Sequence, residues 1–225
     1  MNEVEMDDIL TWWSLKANSP YDTKEYKKFY QDKLDKVLKL VEKLKTIGTA
    51  TASGELNKLG IKDPFIQGPV SYSQGKTIAG PAITLQFLPI REDVYADDQE
   101  MDPEVQLHRH ALYIAEKGDI VVVDARGDLR SGVFGEMMLT YFQGKGGEGI
   151  IVDGVIRDFT HAKELELGMW LKGVTPNYHT QVSIFPNAVN IPISCGGVLV
   201  NAGDIIIADD DGAIVVPISL AEQLA

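Results

Sequence analysis

The chain has 225 residues, 44% hydrophobic and 24% charged, enough for one large globular domain with a buried core. Its formal net charge of −12 argues against a nucleic-acid partner, which would call for a basic surface. There is no run of roughly 18 apolar residues, and the acidic start (Met1 to Ile9) lacks an apolar signal core, so neither a membrane span nor a secretory leader is predicted. The single cysteine, Cys195, allows no internal disulfide and suits a reducing, cytoplasmic setting. Lying beside Gly196 and Gly197 in an apolar stretch, it reads as a small buried filler rather than a nucleophile.

Residues 1–47 read as an N-terminal helical extension and residues 48–225 as the main domain. In the extension, Trp12, Trp13 and Leu15 precede Ser19–Pro20. Leu34, Val37, Val41 and Leu44 then recur at helical steps within the lysine-rich run from Lys24 to Lys45. This predicts an amphipathic helix lying against the main body or a neighbouring subunit. Glu25, Asp32, Asp35 and Glu42 balance its lysines, so it lacks the basic face of a membrane-surface helix.

A second helix is predicted from Thr49 to Leu59, entered through a Ser or Thr cap and stopped at Gly60. Thr77 to Leu88 alternates as a strand, with a break expected at Gly80–Pro81. Arg91 to Pro103 is acidic and loop-like. Val105 to Ala115 is predicted helical; its His108 and His110 lie two apart, do not share a face, and are not expected to pair on a metal. Ile120 to Val123 reads as a buried strand. After it, Asp124 to Leu129 is read as a loop at the strand's carboxyl end, where α/β sheets bind ligands, and so as a wall of the site.

From Ser131 to Tyr141 the chain enters a helix, with Gly132 and Gly135 permitting close backbone approach. Gly149 to Asp153 is the next buried strand, Gly154 to Asp158 turns out of it, and a short helix begins at His161. Strands are predicted at 170–174, 188–193, 197–200, 204–208 and 213–216, with Asp209-Asp210-Asp211-Gly212 as a hairpin turn.

The functional signal is a spacing. Glu136 follows Gly135, and Arg157–Asp158 comes 21 positions later, across one helix–strand unit. Such a unit returns the chain to the same end of a sheet, so the three side chains are expected to meet at one rim. Two carboxylates, Glu136 and Asp158, are hard oxygen ligands suited to Mg²⁺ or Mn²⁺. The backbone N–H groups of Glu136, Met137 and Met138, at the positive end of a helix, suit a carboxylate. Arg157, always charged and forked, suits the keto oxygen of a 2-oxo acid. A metal and a guanidinium aimed at one carbonyl oxygen stabilise an enolate. That serves carbon–carbon cleavage releasing pyruvate, or decarboxylation of an acid such as oxaloacetate, with no Schiff-base lysine.

Several segments carry a resemblance: T-A-T-A-S-G-E-L-N-K-L-G, A-G-P-A-I-T, G-D-I-V-V-V-D, G-E-M-M, G-I-I-V-D-G-V-I-R-D and P-I-S-C-G-G-V-L-V-N-A-G-D-I-I-I-A-D-D-D-G-A-I-V-V-P. In this order, from about Thr49 to Pro217, the chain resembles the RraA-like family. That family holds class II 4-hydroxy-4-methyl-2-oxoglutarate/4-carboxy-4-hydroxy-2-oxoadipate aldolases and regulators of ribonuclease E activity. The resemblance implies an α/β fold of the swivelling β/β/α type, a homotrimer or dimer of trimers, and a site at the subunit interface. It implies that Asp158 ligates the metal and that Glu136 holds it through water or orients a proton-shuttling water. Arg157 would bind the keto oxygen, and the amides of Met137 and Met138, beside Gly135, would take the substrate carboxylate. Two departures stand out. The first acid is usually aspartate in the aldolases, and His161 occupies a position where one family variant carries a further acid. Glu222 is a candidate for an acid supplied to a partner subunit.

Overall fold

The continuous apolar runs of the middle third form the centre of the molecule. The computed structural model describes residues 36–91, 93, 106–178 and 183–225. The predicted features at Trp12, Trp13, Ser19–Pro20 and the first half of the lysine-rich run, with most of the acidic 91–103 segment, lie outside the described residues. Residues 36–45 are helical (α1), followed by α2 (Thr49–Lys58), β1 (Val70–Ser71), β2 (Ile78–Pro89), α3 (Leu107–Tyr113) and β3 (Ile120–Gly132). Then come α4 (Glu136–Gly144), β4 (Gly149–Ile156), α5 (Phe159–Ala162), β5 (Gly168–Val174) and β6 (Ile184–Val189). Strands β7 (Ile193–Cys195), β8 (Val198–Val200), β9 (Ile205–Asp209) and β10 (Gly212–Val216) lead to a short α6 (Ala221–Leu224).

One sheet carries the order β1-β5-β4-β3-β2-β9-β10, with β6 also paired to β2, and β7 and β8 form a separate hairpin. The β5-β4-β3-β2 centre is parallel. Parallel strands are covered on both faces, which explains why Ile120–Val123 and Ile150–Val152 are apolar without alternation. On one face Val121, Val123, Ile150 and Val152 pack with Leu139 and Phe142 of α4, and with Val37, Val41 and Leu44 of α1. On the other, Val122, Ile151 and Trp170 pack against Ile193, Cys195 and Val198 of the hairpin. The helical run of the extension thus shares the core of the main body through its predicted apolar stripe.

Several sequence expectations shift for physical reasons. The break expected at Gly80–Pro81 is a change of partner in an unbroken β2. Ile78–Pro81 runs antiparallel to β9, and Ala82–Gln86 runs parallel to β3. A Cβ at Gly80 would lie 2.1 Å from the carbonyl oxygen of Gly118, so this glycine serves close backbone approach. Helix α2 has no Ser or Thr side-chain cap. Gly48 is its N-cap, and the amide and hydroxyl of Thr49 donate to the Asp209 carboxylate at 2.8 and 2.6 Å. The strand expected at 188–193 is two strands, β6 and β7, separated by Asn190 in the left-handed region. The hairpin turn at Asp210–Asp211 is as predicted, with Asp209 and Gly212 as the closing pair. Cys195 is fully buried, and burial pushes its thiol well above the ordinary range, as expected of a filler.

Candidate active site

Three backbone rungs build the site. Val133 N–H donates to Val155 O at 3.0 Å, Arg157 N–H to Phe134 O at 2.9 Å, and Thr175 N–H to Ile156 O at 2.9 Å. The first two bind the exit of β3 to the exit of β4, and so bring Gly135 against Arg157 and Asp158; the third ties the exit of β5 to β4. A Cβ on Gly135 would stand 2.6 Å from Asp158 Oδ2 and 3.1 Å from Arg157 Nε. One on Gly132 would stand 2.9 Å from Arg157 Cβ. Both glycines exist to let this arginine–aspartate pair close on the start of α4.

Asp158 holds φ 60° and ψ 28°, left-handed backbone that aspartate tolerates better than most residues but that favours glycine. Its side chain caps nothing in α5. It lies 3.5 Å from Arg157 Nε, loose for an ion pair, and is 45% exposed. Arg157 is 29% exposed and has its guanidinium carbon 5.0 Å from the centre of the Tyr178 ring, a cation–π contact. Left-handed backbone at a residue with no capping role is characteristic of a working position.

Glu136 opens α4, one residue after the glycine that touches Asp158. Its Oε1 accepts from the Thr140 hydroxyl at 2.7 Å, one turn along the helix. The amide expectation needs one correction. Met138 N–H donates to Gly135 O at 3.1 Å, because the first turn tightens, so it is not free for a ligand. Glu136 and Met137, at the first two helical positions, have no carbonyl within the helix to accept from them.

The 124–129 segment, expected as a loop and wall of the site, is a bulged continuation of β3. Arg126 and Gly127 both take positive φ, and pairing to β4 resumes at Asp128. By strand alternation Asp124 faces away from α4, toward the β7–β8 hairpin. Asp128 accepts from the Ser131 amide at 2.7 Å and the Ser183 hydroxyl at 2.6 Å, tying β3 to the start of β6. Asp124 is 4% exposed, and burial raises its pKa above the ordinary 3.8. A raised folded-state pKa means that the native chain holds this proton more tightly than the unfolded one. Stability is therefore lost as pH climbs from 3.8 through the raised value. Asp124→Asn, which still accepts from the Arg126 amide, is expected to lack that loss. Its Tm advantage over wild type should grow across that window and then level off, as thermal melts over a pH series would show.

The RraA-like family model, described as Aldolase/RraA, matches residues 49–215. The chain belongs to the RraA-like family. A solved Streptomyces coelicolor structure, RraAS2, is described as an unusual member of the RNase ES inhibitor RraA family. It is 41% identical, superposes with a TM-score of 0.75, and is covered over 88% of its chain and 83% of this one. A Halalkalibacterium halodurans protein assigned by name to the 4-hydroxy-4-methyl-2-oxoglutarate aldolases is 38% identical over 107 residues, 48% of this chain and 50% of that one. An Arabidopsis thaliana protein of similar name is 27% identical over 64% of this chain and 77% of its own. The chain thus spans about half the length of the first of these curated relatives. The RraA-like fold is the expected α/β class, with helices at its N-terminal side.

Among the described residues of this RraA-like chain no group of three or more His, Cys, Asp or Glu could hold a metal. A cation here would rely on one or two carboxylates, with water and substrate oxygens completing the shell, which is how Mg²⁺ is commonly held. Asp158 fits: its carboxylate is half-exposed, caps nothing, and faces the space that Gly135 leaves open. A cleft of about 520 Å³ adjoins the same helix. Among the described residues it is lined by Arg109, Leu112 and Tyr113 of α3 and by Met137, Met138 and Tyr141 of α4. Sequence reasoning weighed the histidines on either side of Arg109 and passed over the arginine itself. Nothing local marks it, since the cleft exists only once the two helices dock.

Proposed function

We propose that the chain is a divalent-metal-dependent class II aldolase, a carbon–carbon lyase that cleaves a 4-hydroxy-2-oxo acid to pyruvate and also decarboxylates oxaloacetate. One observation supports this above the rest: Gly135 lies against both Arg157 and Asp158 at the mouth of a helix whose first residue is Glu136. The free amides of Glu136 and Met137 take the substrate carboxylate. Arg157, in contact with the Tyr178 ring, donates to the keto oxygen. The C4 hydroxyl gives its proton to water and becomes a carbonyl as the C3–C4 bond breaks; the bond's electrons pass to the C2 carbonyl, and the enolate then takes a proton at C3 to give pyruvate. The enolate oxygen so formed is stabilised where it develops by the guanidinium. Asp158, with Glu136 directly or through water, would hold Mg²⁺ or Mn²⁺, whose Lewis acidity adds to that stabilisation. Glu136 also orients the water that carries the proton. By family likeness the working form is a cytoplasmic homotrimer or dimer of trimers, with residues 1–47 as an added extension and 48–225 as the catalytic domain.

The test is a lactate-dehydrogenase-coupled pyruvate assay on 4-hydroxy-2-oxo acids and oxaloacetate, with metal and with EDTA. Metal-dependent pyruvate release is the expected result, and release that survives chelation would exclude this mechanism. Asp158→Gly separates work from fold. Relief of left-handed backbone should leave Tm unchanged or raise stability by up to about 1 kcal/mol, while pyruvate formation falls to background.

The likeness to RraAS2 favours a second reading, a non-catalytic protein-binding regulator of ribonuclease activity. Binding to a ribonuclease E-type partner that is unchanged by Asp158→Ala, together with no pyruvate release by the wild type, would decide for that reading.

A further inference from the structure

The chain leaves β5 through Thr175-Pro176-Asn177-Tyr178, a turn that its own residues stiffen. Proline fixes its φ, and the Thr175 hydroxyl oxygen accepts from the Asn177 amide at 3.3 Å. The turn is then tied across the exit of β3. Asn177 Nδ2 donates to Arg130 O at 2.8 Å, and the Asn177 carbonyl lies over Gly132, where an added Cβ would stand 3.0 Å from its oxygen. At the start of β6, Ser183 returns to the same few residues. Its hydroxyl donates to Asp128 Oδ1 at 2.6 Å and lies 3.0 Å from the hydroxyl of Ser131, which is fully buried. Asp128 Oδ2 meanwhile accepts from the amides of Arg130 and Ser131 at 3.0 and 2.7 Å. One carboxylate thus shapes the end of β3 and anchors the start of β6. Burial works to raise the Asp128 pKa, but these hydrogen bonds outweigh it and hold the group below its ordinary 3.8, so it is an acceptor at neutral pH.

These ties position a side chain that burial does not hold. Tyr178 is 61% exposed, yet its ring lies 5.0 Å from the Arg157 guanidinium carbon. The glycine under the Asn177 carbonyl is also the one that faces Arg157 Cβ, so the turn and the arginine close on the same residue. A donor aimed at a developing oxyanion is most effective when it is set in advance, because it then needs no reorganisation during the reaction.

We propose that Asp128, Asn177 and Ser183 are positioning residues for the reaction. They strap the turn after β5 and the start of β6 onto the exit of β3, and so keep the Tyr178 ring against Arg157 and the guanidinium set for the keto oxygen. All three act through Tyr178 and not on the substrate. The kinetic part of this assignment rests on the lyase reading above; the geometric part does not.

Arginine side-chain NMR on the full chain reads the geometry with no substrate present. The Arg157 Nε–Hε signal is assigned by its loss in Arg157→Lys. It is expected upfield, because an aromatic ring shields protons over its face, and Tyr178→Ala gives the unshielded position. Asn177→Ala combined with Ser183→Ala should move the signal more than halfway to that position. Asp128→Asn still accepts from the β3 amides and can donate to the Ser183 hydroxyl, so its signal should stay near that of wild type, whereas that of Asp128→Ala should not. In the pyruvate assay the Asn177/Ser183 double variant should lose about tenfold or more in kcat with KM little changed. In a Tyr178→Ala background the same two substitutions should cost nothing further, since residues that act through one side chain are not additive with its loss. An Arg157 signal unmoved in the double variant, an unchanged kcat, or losses that add in full to that of Tyr178→Ala would overturn the proposal. A signal that moves as expected in a chain that releases no pyruvate would sink the lyase reading and leave the positioning of Arg157 standing.

Discussion

Gly135→Ala is expected to lower pyruvate formation by about 10²-fold or more while leaving the fold intact. The glycine's φ of −115° and ψ of 171° are open to any residue, so alanine introduces no backbone strain. The added methyl would stand 2.6 Å from Asp158 Oδ2, closer than real Cβ contacts come, and 3.1 Å from Arg157 Nε, a tight contact. The Asp158 carboxylate must therefore move by up to about an ångström and Arg157 by less, and a displacement of about that size at a reacting centre loses roughly two orders of magnitude. Turnover by coupled assay and Tm by calorimetry check the two halves. Near-normal turnover would mean that the close approach of Gly135 to the pair has no part in the chemistry.

Arg157→Lys is the second large effect. Lysine keeps the charge but loses the planar fork, and its ammonium does not reproduce the guanidinium placed over Tyr178, 5.0 Å from the ring centre. A donor aimed at a developing oxyanion contributes on the order of 10²–10³ in rate, so kcat should fall in that range. KM should change less, because the carboxylate end of the substrate is held by α4. Stability should drop by no more than about 1 kcal/mol, since the partly exposed side chain gives up chiefly one cation–π contact.

The central sheet was legible because buried parallel strands leave unbroken apolar runs, as at Ile120–Val123 and Gly149–Val152. Where the chain departs from that rule the sequence misleads. Arg126 and Gly127 look like a turn, yet they form a bulge inside β3. Gly80–Pro81 looks like a break, yet β2 there exchanges one neighbour for another. The cap of α2 could not be seen, because Asp209 lies 160 residues from Thr49. For the site, the spacing of Glu136 and Arg157–Asp158 pointed to one rim, and the two exit loops do meet there through Gly135. The spacing could not show that Met138 N–H turns back to Gly135, a detail of how tightly one helical turn winds. Nor could it show Arg109, which faces a cleft only once α3 docks on α4.

The most direct measurement is proton NMR of pyruvate in D₂O, following loss of the methyl signal as the enzyme forms and reprotonates the enolate. Wild type with Mg²⁺ should exchange the methyl protons, and the exchange should stop with EDTA or in Asp158→Asn. Exchange that continues under chelation and in that variant, or that never occurs in wild type, would contradict an enolate-forming metal site at Gly135, Arg157 and Asp158.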